Sequence, residues 1–150
     1  MKNLYDVARA TELKQRIALL RPDSERQWGK MSPTQMLTHC ARAMETATGE
    51  VKLPRMFIGR LIGPVIRSLA LGDDKPMSRN APTAKEFVVK DDPDFEAGRA
   101  RLLASIDRFV AQGPAGCTTH PHTFFGAMTA DQWAVLTYKH LDHHLRQFGV

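Results

Sequence analysis

Six histidines stand among the 150 residues, and three of them are spaced for one job. His140 and His144 lie at i and i+4, so on a helix their rings project over the same face. Trp133, Leu136 and Thr137 precede them at spacings of three and four, which makes that face the inward one. His39 sits beside Met36 and Ala43, at or next to the inward stripe of an earlier helix. Two imidazoles from one helix and one from a facing helix leave open positions on a divalent metal, the arrangement of catalytic rather than structural sites. His143 offers a competing i, i+3 pair with His140, but His144 continues the stripe of Trp133, Thr137 and His140. For each histidine the alternative is a hydrogen-bonded core residue, yet three on facing stripes would need three separate partners.

Other residues carry less weight. Cys40 points about 100° round the helix from His39, and reads as a small buried apolar residue before a ligand or nucleophile. His120 and His122 belong to the loop HPHTFFGAMT, where a surface position comes first and a pocket-rim or fourth-ligand role second. Asp142 falls two residues from both His140 and His144 and faces away from them. Gly59 and Gly63 bracket a GxxxG interval that suggests close packing. The sequence has no phosphate-binding glycine loop, no serine nucleophile elbow and no paired-cysteine zinc spacing.

The elements that must position these residues read as four helices without sustained strand alternation. The first spans about residues 4–20, with Leu13, Ile17 and Leu20 on one face. The second opens at Ser32-Pro33-Thr34-Gln35, a capping box with proline at the first helical position, and runs to Gly49 with Met36, Cys40, Ala43 and Ala47 turned inward. The third starts near Asp92-Pro93 and ends at Gln112-Gly113-Pro114. The fourth opens at Thr129 with a second capping box to Gln132 and runs to Gly149. Residues 54–72 read as a helical segment that Pro64 should kink or break. Residues 73–91 read as a long crossover whose only extended-looking run is Phe87-Val88-Val89.

Composition bounds the rest. The length fits one domain over residues 1–150, and 43% hydrophobic residues is too apolar for a disordered chain. Two cysteines make no disulfide framework, the charged N-terminal stretch leads to no expectation of a secretory signal, and no stretch reaches the roughly 18 to 20 apolar residues of a spanning helix. A cytoplasmic protein without membrane insertion is expected. The formal net charge is +5, and residues 51–90 alone, with eight basic and three acidic side chains, hold an excess of that size. The basic residues of that block are not clustered with stacking aromatics and no recognition motif appears, so nucleic-acid binding is not expected.

The stretch WGKMSPTQMLTHC (residues 28–40), the loop HPHTFFGAMT and the ending KHLDHHLRQFG (residues 139–149) together resemble a family of uncharacterised bacterial proteins within the DinB/YfiT-like superfamily of metalloenzymes. The resemblance is specific at these places, covers the chain in outline and is weak over residues 50–90. It implies a four-helix bundle with a long crossover between the second and third helices, often paired as a homodimer. It also implies a metal held by one histidine of the second helix and an HxxxH pair of the last, which fall on His39, His140 and His144. Characterised relatives include thiol-dependent transferases and an isomerase that use low-molecular-weight thiols with zinc or another divalent ion.

The expected function is therefore a metal-dependent transferase acting on an electrophilic small molecule with a thiol cosubstrate. Zinc is the first choice of metal, ahead of nickel, manganese or iron. His143 and His120 are the reserve ligands or supporting residues, and Arg60 and Arg67 are candidates for the pocket rim. The alternative is a non-catalytic bundle that binds an acidic partner or a membrane surface through residues 51–90.

Overall fold

The computed structural model describes residues 1–91 and 94–150. It is all-helical, with five helices and no strand among the described residues: α1 (Val7–Leu19), α2 (Pro33–Ala47), α3 (Phe57–Leu71), α4 (Phe95–Gly116) and α5 (Ala130–Gln147). Among the described residues of the connection from α3 to α4, a 3-10 turn, Lys85–Phe87, takes in the first residue of the expected extended run Phe87-Val88-Val89, and Val88 is extended. None of these helices is long and apolar enough to cross a membrane.

Local chemistry sets the helix starts. Asp6 caps α1 by accepting the N–H of Ala8. Ser32 and Gln35 close a full capping box on α2, with Pro33 at its first position, and Thr129 and Gln132 do the same for α5. The start expected at Asp92-Pro93 lies outside the described residues; the cap of α4 is Asp94, which accepts the N–H of Ala97 at 2.7 Å. Near its other end, Gly113 adopts a φ of +60°, so the chain leaves helical geometry at the Gly113-Pro114 pair. On α2 the inward stripe runs through Met36, Cys40 and Met44 together with Leu37 and Ala41. Ala43, expected inward, is only partly buried.

α5 occupies the centre. It packs against α1, α2, α3 and α4, and Trp133 through Lys139 are buried without interruption, which no one-sided surface helix allows. α2 and α4 pack closely along Gly98 and are clamped by Arg101, which donates Nε and Nη2 to the buried Glu45 carboxylate at 2.6 and 2.8 Å. Leu13, Ile17, Met36, Leu37, Leu102, Ile106, Phe109 and Leu141 fill the space between these helices.

α3 departs most from expectation. It is a fifth helix, and it continues through Pro64. Pro64 is exposed, so its ring meets no neighbouring element and the carbonyl freed four residues earlier faces water. Gly59 and Gly63 turn inward and let the helix lie directly on the backbone of Phe124. At its end, buried Lys139 of α5 donates to the carbonyls of Ala70 (2.6 Å) and Asp73 (2.9 Å), a cation placed on carbonyls that a helix C-terminus leaves unpaired. Arg67 donates to the carbonyl of Ala127.

A Cβ on Gly63 would run into the Phe124 carbonyl oxygen. Gly63→Ala should therefore lower stability by about 1–3 kcal/mol, instead of giving the roughly 1 kcal/mol gain of Gly→Ala in an open helix. Urea unfolding of the variant against the parent decides between these signs.

Candidate metal centre

α2 and α5 bring His39, His140 and His144 together. Their rings form a mutual triangle, with centroids 5.0 Å apart for His39 and His140, 4.8 Å for His39 and His144, and 4.6 Å for His140 and His144. One ligand atom from each residue lies within 4.8 Å of the others. His39 and His144 are buried, whereas His140 is partly exposed, so the cluster is open on that side.

The hydrogen bonds around the cluster fix which nitrogens it presents. His39 Nδ1 lies 3.0 Å from the carbonyl of Phe87, an acceptor only, so Nδ1 carries the proton and Nε2 carries the lone pair. For His144 the reasoning has one more step. The Gln147 amide donates Nε2 to the Trp28 carbonyl at 2.9 Å, which turns Oε1 towards His144. Oε1 accepts from His144 Nδ1 at 2.9 Å, and that leaves His144 Nε2 bare as well. Gly29, at a φ of +78°, makes room for this amide; a Cβ there would lie 2.5 Å from Gln147 Nε2.

His39 Nε2 and His140 Nε2 are 3.1 Å apart. In the metal-free chain this pair is a hydrogen bond donated by His140, because the proton of neutral His39 is on Nδ1. The same spacing suits a shared ion: two nitrogens bonded to one tetrahedral metal at about 2.0–2.1 Å lie roughly 3.3 Å apart. The donor set therefore fits a divalent ion, with Nε2 of each histidine as ligand atom and two of the three rings held by outer hydrogen bonds.

Burial keeps these imidazoles uncharged. It is the largest cause lowering the pKa of His39, of His140 (well below its ordinary value) and of His144 (to about 3); neighbouring histidines lower His140 and His144 further, and the charges of Arg42 and His143 lower His39. Neutral imidazole is the form that binds a metal.

The remaining candidates sit elsewhere. His143 adjoins the cluster without being one of the three converging residues: its ring lies 5.0 Å from that of His144, edge-on, and 5.5 Å from that of Trp28. Asp142 bridges Arg16 (2.8 Å) and Arg146 (2.9 Å). His120 donates Nε2–H to the Leu53 carbonyl at 2.9 Å and lines a small cavity with Phe87, His122 and Trp133. Arg60 is exposed on α3 and Arg67 reaches the Ala127 carbonyl; neither lines that cavity. Cys40 is enclosed against Met36, and burial pushes its thiol far up, which leaves it protonated. Sequence reasoning missed Gln147 and Phe87. Gln147 was findable, since it stands one turn after His144, but a backbone carbonyl such as that of Phe87 has no residue signature.

An all-helical chain with three clustered histidines that could hold a metal ion is thus the class that fold and site define. The chain belongs to the family described as "Protein of unknown function (DUF1569)", whose model matches residues 4–149. No curated protein and no solved structure matches it.

The lowered pKa values set a pH dependence. Below the ordinary histidine value of about 6.5 the unfolded chain takes up protons that the folded cluster refuses, so stability falls as pH falls towards the folded values. Metal-free protein should lose stability steadily between pH 6.5 and 5, above the carboxylate range. His144→Leu should recover about 1–2 kcal/mol of that loss, as read from urea midpoints at the two pH values.

Proposed function

We propose that the chain is a metalloenzyme of the DinB/YfiT-like kind, with a divalent ion, zinc first, on Nε2 of His39, His140 and His144. The observation that carries this reading is the set of three uncharged imidazoles from two helices, two of them with Nδ1–H anchored so that Nε2 faces the cluster. Three protein ligands leave coordination positions for a nucleophile, as catalytic sites require. Bound there, the ion would supply Lewis acidity and lower the pKa of a coordinated thiol or water.

The chain's own groups divide the remaining work. Phe87 and Gln147 hold two ligand rings in orientation. The partly exposed side of His140 is the route for a small substrate. Cys40 is protonated and enclosed, so the thiol nucleophile of this reading is a low-molecular-weight cosubstrate attacking an electrophilic small molecule.

Elemental analysis of tag-free protein tests the metal. About one divalent ion per chain is expected, lost in His39→Ala and His144→Ala and retained in His143→Ala. No ion in the parent, and no uptake of zinc, nickel or manganese on reconstitution, would overturn the reading. Conjugation of a model electrophile with and without added thiol then tests the transferase step.

A second reading has its own observation. α3 exposes two apolar ridges: Phe57 (76% exposed), Leu61, Val65 and Leu69 (72%), with Ile58, Ile62 and Ile66 alongside. These side chains present on the order of 700 Å² of apolar surface, near the roughly 800 Å² per partner of a standard interface. Arg55 and Arg67 are turned onto backbone carbonyls, so α3 offers an apolar face more than a cationic one. The occupant this favours is a second copy of the chain, related by a two-fold axis. Sedimentation velocity should show a dimer that Leu61→Glu converts to a monomer with its metal content unchanged. A monomeric parent across the accessible concentration range would overturn it and leave a lipid surface or another protein as the partner.

A further inference from the structure

A cavity that shares Phe87 with the histidine cluster is lined by two residues whose hydrogen-bond donors the fold does not use. Trp133 is only 2% exposed, and its indole Nε1–H is enclosed without an acceptor. Leaving such a donor unpaired is costly unless something occupies the space in front of it. His122 is the other. Its Nδ1 accepts the backbone N–H groups of Phe124 (3.1 Å) and Phe125 (3.0 Å), so the neutral ring carries its proton on Nε2. Among the described residues nothing accepts that proton.

The two rings are 5.3 Å apart between centroids and line the same cavity as Phe87, whose carbonyl orients His39. The cavity is about 10 Å³, room for roughly one oxygen atom with its hydrogens. No carboxylate lines it. Arg55 packs against Gly126, which exchanges two backbone hydrogen bonds with His122, and its positive charge favours an anionic oxygen over a neutral one.

We infer that Trp133 Nε1–H and His122 Nε2–H form a donor pair for one carboxylate oxygen of a small-molecule ligand bound at the cavity that shares Phe87 with the three-histidine cluster. This deepens the metalloenzyme reading, on which the identification of that ligand with the substrate rests, by assigning it a carboxylate. The tautomer of His122 is opposite to those of His39 and His144. Its Nδ1 is engaged by backbone donors and its Nε2 is protonated, so it contacts the ligand as a donor and leaves metal binding to the other three.

Formate is the probe, and the metal-free protein is the first arm, so that binding to an ion cannot mimic the effect. The two tryptophans give two indole N–H resonances, and Trp28→Phe identifies that of Trp133. Formate should shift this resonance saturably, while chloride at equal ionic strength should not. His122→Asn keeps an acceptor for the N–H groups of Phe124 and Phe125 but removes the Nε2 donor; it should weaken formate binding by roughly 10-fold or more. Amide spectra of the variant confirm that its fold is retained. A shift that does not saturate, one that chloride reproduces, or an affinity unchanged in His122→Asn would each overturn the inference, the first two leaving water as the occupant. The second arm repeats the titration after zinc loading. Failure to load zinc would count against the metal reading alone, because the first arm reads the donor pair without it.

Discussion

The candidate site depends on keeping three imidazoles uncharged at close quarters in the interior. Each would prefer to be solvated and partly protonated near neutral pH. Enclosure between α2 and α5 withdraws water from His39 and His144, and mutual proximity makes any single protonation costly for its neighbours. The result is a group of bare nitrogens within a few ångströms of one another. Such a group is destabilising in isolation and useful only where a cation or a shared proton joins it. The 3.1 Å approach of His39 and His140 shows the second of these.

The rest of the fold can be understood as support for that enclosure. The helix carrying His140 and His144 is packed by α1, α2, α3 and α4, while His140 itself stays partly exposed. α3 provides its cover without an apolar seam of its own. Gly59 and Gly63 let it approach the Phe124 backbone, and Lys139, a charged residue that burial would otherwise penalise, is satisfied by the carbonyls at the C-terminal end of α3. The cost of this arrangement falls on the outside, where the apolar face of α3 is left in solvent.

Much of this was legible in the sequence, for identifiable reasons. The two capping boxes at Ser32 and Thr129 and the i, i+4 spacing of His140 and His144 are local signals, and local signals fix both helix starts and the common face of the pair. The GxxxG interval marked a close approach that the structure places against Phe124. Pro64 misled because its penalty depends on what surrounds it, and an exposed helix face tolerates the missing hydrogen bond. Of the run Phe87-Val88-Val89, read as extended because Phe-Val-Val favours strands, Val88 is extended but Phe87 closes a 3-10 turn and its carbonyl meets a histidine 48 positions away. Long-range partners of this kind leave no periodicity to read.

The division of labour among the histidines follows from the same logic of partners. All of them are chemically alike in the sequence, and what distinguishes them is the group that meets Nδ1. A carbonyl at that position, as for His39, or an amide oxygen turned by the Trp28 carbonyl, as for His144, pushes the lone pair to Nε2 and into the cluster. Backbone N–H groups at that position, as for His122, push the proton to Nε2 and make a donor. The chain thus sets lone pairs and N–H groups with backbone groups and one side-chain amide. A lone pair calls for a cation and an N–H for an anionic oxygen, so a metal ion and an anionic ligand are the two complements that would satisfy this end of the molecule together.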